Sequence, residues 1–275
     1  MFTLNCKGRL LAAEHPLVMG IINLTPDSFY EDSRADGADA VLRHTERMLE
    51  EGADIIDIGA QSTRPGSIML TEEQELSRLS GIVDIVTDKF PEAIFSIDTY
   101  YSRIAALCVA AGASMINDIT GGERDAAMMR TVAGLHVPYV CMHMRGNPET
   151  MHEHTSYDDV TKSVLDYFIM KIRQCREAGI KDVIADPGFG FSKNARQNFE
   201  LLKNLRSLKI LGVPLLAGLS RKSTIYKTLG VSAADALNGT TVMNTVALLH
   251  GADLLRVHDV KEAKEAIKLA SEVFK

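Results

Sequence analysis

Cysteine is scarce in this 275-residue chain: only Cys6, Cys108, Cys141 and Cys175 are present, widely scattered and without a C-x-x-C pair. That spacing excludes a zinc knuckle and gives no disulfide framework, so all four thiols are expected to be buried bystanders. Long apolar runs are missing too. None approaches the roughly 18 residues that a membrane-spanning helix needs. Residues 1–20 show neither the basic start nor the continuous apolar core of a secretory leader, and the expected location is the cytoplasm. Positive charge is also in short supply, because the formal net charge is −6, which argues against holding nucleic acid by general electrostatics. An anionic small molecule would need a local basic cluster instead. No Pro/Ser-rich linker, low-complexity tract or charge block divides the chain, so one domain over residues 1–275 is expected. The signatures H-E-x-x-H, the Walker loop and the G-x-S-x-G elbow are absent as well.

What is present is repetition. Eight short runs rich in β-branched residues, 18–23, 53–59, 94–98, 114–118, 137–142, 181–186, 213–218 and 252–257, recur between amphipathic stretches. Each run is nearly continuous in apolar residues, as parallel strands buried on both faces are. The segments between them carry helix signals. Residues 38–51 are amphipathic and stop at Gly52, residues 102–111 stop at Gly112, and Thr71 with Gln74 and Asp259 with Glu262 have capping-box spacing. Strand then helix, eight times, predicts a (β/α)8 TIM barrel. The rival, a doubly wound open sheet, would be expected to show G-x-G-x-x-G after the first strand, and it does not. Two strand-to-helix connections are long, 24–37 and 60–70, and rich in Gly, Pro, Ser and Asp, as functional loops are.

In such a barrel the site lies where strands end at their C-termini, so the closing residues matter more than the filling. They are Asn23, Asp57 with Gly59, Asp98, Asn117 with Asp118, His143, Asp186, Ser220 to Ser223, and Arg256 with His258. Taken singly, an Asn or Asp there serves equally well as a helix cap. Taken together, Asp98, Asn117, Asp186 and Lys222 would converge on one mouth and suit a flat heterocycle with several N–H and C=O groups. In Arg256-Val257-His258 the period-two alternation puts two cationic donors on one side, a sound anion site that Asn23 could join. Residues 220–223 precede a helix expected near Thr224, whose free N–H groups attract a second anion. The run Asp186-Pro187-Gly188-Phe189-Gly190-Phe191 is a stiff turn that would present an aromatic ring. His152-x-His154, flanked by Glu149, Glu153 and Asp158, reads as a solvated loop or helix start rather than a metal pair.

Read in order, Met19-Gly-Ile-Ile-Asn-Leu-Thr-Pro-Asp-Ser-Phe29, Asp57-Ile-Gly-Ala-Gln-Ser-Thr-Arg-Pro-Gly66, the 186–191 turn, Ser220-Arg-Lys-Ser223 and Arg256-Val-His258 resemble the motif series of the dihydropteroate synthase family over essentially the whole chain. The resemblance implies a transferase. It would join 6-hydroxymethyl-7,8-dihydropterin diphosphate to the amine of 4-aminobenzoate, releasing diphosphate. By the same resemblance Asp98, Asn117, Asp186 and Lys222 hold the pterin, and Asn23, Thr63, Arg64, Arg256 and His258 meet the diphosphate. Mg²⁺ would bridge Asn23 and phosphate oxygens. The 4-aminobenzoate would lie against Phe29, Pro65, Phe191 and Lys222, with its carboxylate at Ser220 and Ser223. Asp98, Asp186, Lys222 and Arg256 are the implied catalytic set, in a dissociative displacement shielded by the two long loops with Asp27, Ser28, Thr63 and Arg64. The family implies a homodimer, to which helices after residue 230 are expected to contribute. Two rivals remain at this level: a pterin-dependent methyltransferase, which would not need the 220–223 and 256–258 motifs together, and a non-catalytic pterin-binding relative, expected to have lost some of these residues.

Overall fold

The computed structural model describes residues 1–24, 34–61, 69–147 and 149–273. Eight of its strands are parallel: β3 (Leu17–Asn23), β4 (Ile55–Gly59), β5 (Phe95–Asp98), β6 (Met115–Asp118), β7 (Tyr139–Met142), β8 (Val183–Asp186), β9 (Leu216–Ala217) and β10 (Leu254–Val257). They pair in the order β8-β7-β6-β5-β4-β3-β10-β9. A parallel bridge from Ala185 to Leu215 joins the two outer strands and closes the ring. The expected (β/α)8 barrel is therefore the observed one. Side chains such as Ile55, Ile56, Asp57 and Ile58 are buried on both faces of the sheet, which is why these runs read as continuously apolar.

The expected strand over 213–218 shrinks to two residues for a definable reason. Pro214 has no N–H to give, and the Leu215 N–H goes to the Asp253 carboxylate at 2.8 Å instead of to a neighbouring strand. Around the barrel run α1 (Arg34–Glu50), α2 (Glu72–Leu79), α3 (Ile82–Lys89), α4 (Ser102–Ala110), α5 (Met128–Leu135), α6 (Val160–Ala178), α7 (Ala195–Lys203), α8 (Ser223–Leu229), α9 (Leu237–Leu249) and α10 (Val260–Val273). The capping box at Thr71 and Gln74 forms as expected. The one expected at Asp259 does not: both of its carboxylate oxygens accept from the Arg221 guanidinium, at 3.0 and 2.8 Å.

Sequence reasoning missed the N-terminal hairpin, β1 (Phe2–Cys6) and β2 (Arg9–Ala13). Its two-residue turn uses Lys7 and Gly8, both with positive φ, as a tight hairpin turn of right-handed strands requires. Leu4, Cys6 and Ala13 from the hairpin pack onto Leu17, Ile55, Ile94, Met115, Val140, Ile184, Leu216 and Leu254. That layer draws on every barrel strand or its lead-in, with Met19 joining Leu17 from β3, and the hairpin thereby stoppers the N-terminal end. Only the C-terminal end is left for a ligand. The four cysteines are free and buried, as expected.

Candidate functional site

The C-terminal mouth is organised around Arg256 on β10. Its Nε donates to Asp57 Oδ2 at 2.6 Å and its Nη2 to Asp98 Oδ2 at 2.7 Å. Asn117 Nδ2 donates to the same Asp57 oxygen at 2.9 Å. Neighbouring strand ends carry these residues in register, Gly59 beside Asp98 and Asp98 beside Asn117. Gly59 makes room here, because a Cβ at that position would lie 3.0 Å from the Asp98 Cβ and that side chain would have to give way slightly. Alternation sorts the other strand-end acid: Asp118 points away from the mouth and accepts from the Tyr139 hydroxyl at 2.7 Å, from Thr120 and from the Gly122 N–H.

Asp186 closes β8, and its Oδ1 accepts from the Gly188 N–H at 2.8 Å. Lys222, just before α8, donates from Nζ to the Phe189 carbonyl and lies 4.7 Å from the Phe191 ring centroid. The 188–191 turn exists because Gly188 adopts φ 70 and passes so close to β7 that a Cβ would stand 2.1 Å from the His143 carbonyl oxygen. Burial pushes the Asp98 carboxyl up to about 7 against the pull of Arg256, and burial also raises Asp186 against Lys222. The same burial draws Lys222 down to about 8, with Asp186 opposing. Asp98, Asn117, Asp186 and Lys222, expected to converge, do share one mouth.

His258 departs from expectation. Its ring reaches solvent at the rim, with Nδ1 2.9 Å from Ser220 Oγ, while the same Oγ accepts from the His258 N–H at 3.2 Å. With Ser220 donating its own hydrogen to Nδ1, the ring hydrogen stands on Nε2. Desolvation and then the charge of Arg256 pull the imidazole down to about 4, so the second member of the expected cationic pair is a neutral donor at pH 7. Solvent access at the rim limits the size of that shift but not its direction. Ser220, expected to face a carboxylate, spends its hydroxyl on His258; Ser223 is the first residue of α8, with no side chain capping the helix start.

Asn23 ends β3, half-buried and in register with Gly59. Phe29, Thr63, Arg64 and Pro65, and with them Asp27 and Ser28, lie outside the described residues. Among the described residues no group of three or more His, Cys, Asp or Glu side chains could hold a metal ion. Sequence reasoning also gave no role to two residues. Asp57 was visible only as a strand end, yet it is fully buried and is the shared acceptor of Arg256 and Asn117. Lys193 gave no signal at all, because the groups it touches are brought to it by the fold.

Comparison with known proteins agrees with this geometry. Residues 19–258 match the family model described as pterin binding enzyme. The dihydropteroate synthase of Escherichia coli K12 is 40% identical over 265 residues, covering 96% of this chain and 93% of that one. Among solved structures, that of Xanthomonas albilineans dihydropteroate synthase with 4-aminobenzoic acid superposes with a TM-score of 0.91 at 38% identity, covering 99% of this chain and 98% of the other. The same organism's enzyme in complex with 7,8-dihydropteroate gives 0.89 at 36% identity, covering 99% of both. The chain belongs to the pterin binding enzymes and, within them, to the dihydropteroate synthases, transferases of folate synthesis.

Proposed function

We propose that the mouth divides into a pterin edge, a diphosphate corner and an aromatic-amine site, and that the reaction is a dissociative displacement on the pterin methylene. The observation that supports this most is the arrangement of Asp98, Asn117, Asp186 and Lys222, from separate segments, around one bidentate arginine. Carboxylate and amide acceptors suit the N–H-rich edge of a pterin, and Lys222 suits its carbonyl side. Arg256 commits Nε and Nη2 to carboxylates, so Nη1 remains for the diphosphate, beside the neutral Nε2–H donor of His258 and the amide of Asn23.

In the proposed step the methylene C–O bond breaks and the diphosphate takes the electron pair. The amine nitrogen of 4-aminobenzoate then bonds to that carbon and loses a proton. Ionised Asp98 and Asp186 offset the positive charge spread over the pterin, and no strong general base is required. Phe191 flanks the aromatic ring, and Ser223 at the uncapped start of α8 takes its carboxylate. By the family resemblance Phe29 and Pro65 would also meet the ring, and Asp27, Ser28, Thr63 and Arg64 would keep water away from the cation; all six lie outside the described residues.

Mg²⁺ fits as an ion carried by the diphosphate. The described side chains offer it Asn23 and no carboxylate cluster, and Mg²⁺ characteristically keeps waters and substrate phosphates rather than an all-protein cage. Bound there, it would neutralise charge on the leaving diphosphate. Mixing the chain with the dihydropterin diphosphate, 4-aminobenzoate and Mg²⁺ should turn over diphosphate continuously only when the aromatic amine is present. Calorimetry should find Mg²⁺ binding with diphosphate present and none with the protein alone. A first-turnover C–O cleavage rate that rises with the nucleophilicity of the amine would overturn the dissociative step, and tight Mg²⁺ binding to the bare protein would overturn the placement of the ion.

A homodimer in the cytoplasm completes the proposal. Leu229, Val231, Val242 and Leu249, on or beside α8 and α9, are exposed apolar side chains suited to a self-complementary face, and buried free thiols suit a reducing compartment. Sedimentation should give twice the chain mass, with Val242→Glu shifting it to the single chain; a monomeric parent would end that part of the proposal.

A further inference from the structure

Lys193 is a buried lysine that the reaction scheme leaves unused. Only 7% of its surface is exposed. Its Nζ has three partners at 3.0 Å, His143 Nδ1, the Gly188 carbonyl and the Phe191 carbonyl, with the His143 carbonyl farther off at 3.5 Å; burial draws the amine down to about 7 against the pull of Asp186, and in its ammonium form it carries one hydrogen for each of the three. Burial and the neighbouring Lys193 and Arg145 charges hold His143 down to about 2, so the ring is neutral, and facing an ammonium its Nδ1 accepts. One side chain thus ties the end of β7 to both ends of the 188–191 turn.

The turn needs tying. Gly188 and Gly190 have positive φ, and Ser192, which carries a Cβ, sits at φ 47, a conformation that persists only where its surroundings enforce it. Asn198 accepts from the Gly190 N–H at 2.7 Å and donates to the Lys193 carbonyl at 3.1 Å, and Lys222 donates to the Phe189 carbonyl. Of these supports Lys193 alone reaches both Gly188 and Phe191. The pterin edge leans on the turn less: Asp98 and Asn117 stand on their own strands, and Asp186, though its Oδ1 accepts from the Gly188 N–H and it feels the Lys193 charge, is fixed by pairing with Met142 in the sheet.

We infer that Lys193 is a positioning residue for the aromatic amine: from beneath the turn it fixes the Phe191 ring next to Lys222, and so sets the affinity for 4-aminobenzoate while leaving pterin binding largely intact. The inference rests on the reading of Phe191 given above, and Phe191→Ala tests that reading separately. Both variants should raise KM for 4-aminobenzoate.

Lys193→Met, which keeps the length and loses the donors, should raise KM for 4-aminobenzoate by about tenfold or more, the scale on which misplacing a substrate contact is felt. KM for the pterin diphosphate should stay within about threefold. Lys193→Cys treated with 2-bromoethylamine regains an ammonium at nearly the same reach and should recover most of the loss, with the treated parent as control. If Lys193→Met does not fold, Lys193→Gln is measured in its place with the same expectation. An unchanged KM for 4-aminobenzoate, an equal rise in both KM values, or no recovery after aminoethylation would each overturn the inference. If Phe191→Ala itself leaves that KM unchanged, the Phe191 reading fails instead.

Discussion

Replacing Lys222 or Asp186 with alanine should lower kcat/KM for the pterin diphosphate by roughly 10²–10³-fold, the cost of removing one preorganised charge from a water-poor site. Helical content and melting temperature should stay near those of the parent, because each group is held in its charged form against the pull of burial and the pairing of Asp186 with Met142 is made by the backbone. The pH profile of kcat/KM should show the same two charges. Lys222 titrates near 8 and must be protonated, so activity falls as pH rises through that value. Asp98 titrates near 7 and must be ionised, so activity falls as pH drops through that value. Because both share Arg256 and Asp186 as neighbours, the observed limbs are macroscopic values of the set rather than of either residue. In Lys222→Ala the alkaline limb should disappear. A double variant that still turned over would sink the assignment of these residues to the chemistry.

The barrel was legible because its strands are buried on both faces, which writes each one into the chain as an uninterrupted apolar run with a polar stop. Asp98, Asn117, Asp186 and Arg256 are such stops, and alternation explains why Asn117 faces the mouth while Asp118 does not. Pairings between stops left no local trace. Arg256 and Asp57 are 199 positions apart, and Lys193 and His143 are 50 apart. Periodicity reports which face a side chain takes, not which partner it meets across a closed sheet. The protonation of His258 was misjudged for the same reason, since the residues that pull its imidazole down reach it only through the fold. The hairpin escaped notice because Lys7-Gly8 is a weaker turn signal than Asn-Gly or Asp-Gly.

Arg256→Met should cost the fold as well as the reaction. Asp57 is completely buried, the Asp98 side chain is 9% exposed, and Arg256 is the cation bonded to both. Removing one partner of a buried pair strands the other charge at about 3–5 kcal/mol, more than the intact pair contributes by itself. The Asp98 carboxyl then escapes by binding a proton, which sets a sign. Without the arginine its folded-state pKa, already about 7, rises further above the unfolded value near 3.9, so stability is lost as pH climbs through that window. The gap in urea midpoint between parent and variant should therefore widen from pH 5 to pH 8. Asp57→Asn in the Arg256→Met background should recover part of it, since an amide needs no counter-charge. Arg256→Lys should sit between, because a single ammonium cannot span Asp57 and Asp98 as the planar fork does. A gap that stays constant with pH would mean that the guanidinium acts by packing rather than by charge. The two-carboxylate clamp, and with it the proposed division of labour between its Nε and Nη2 edge and its free Nη1, would have to be abandoned.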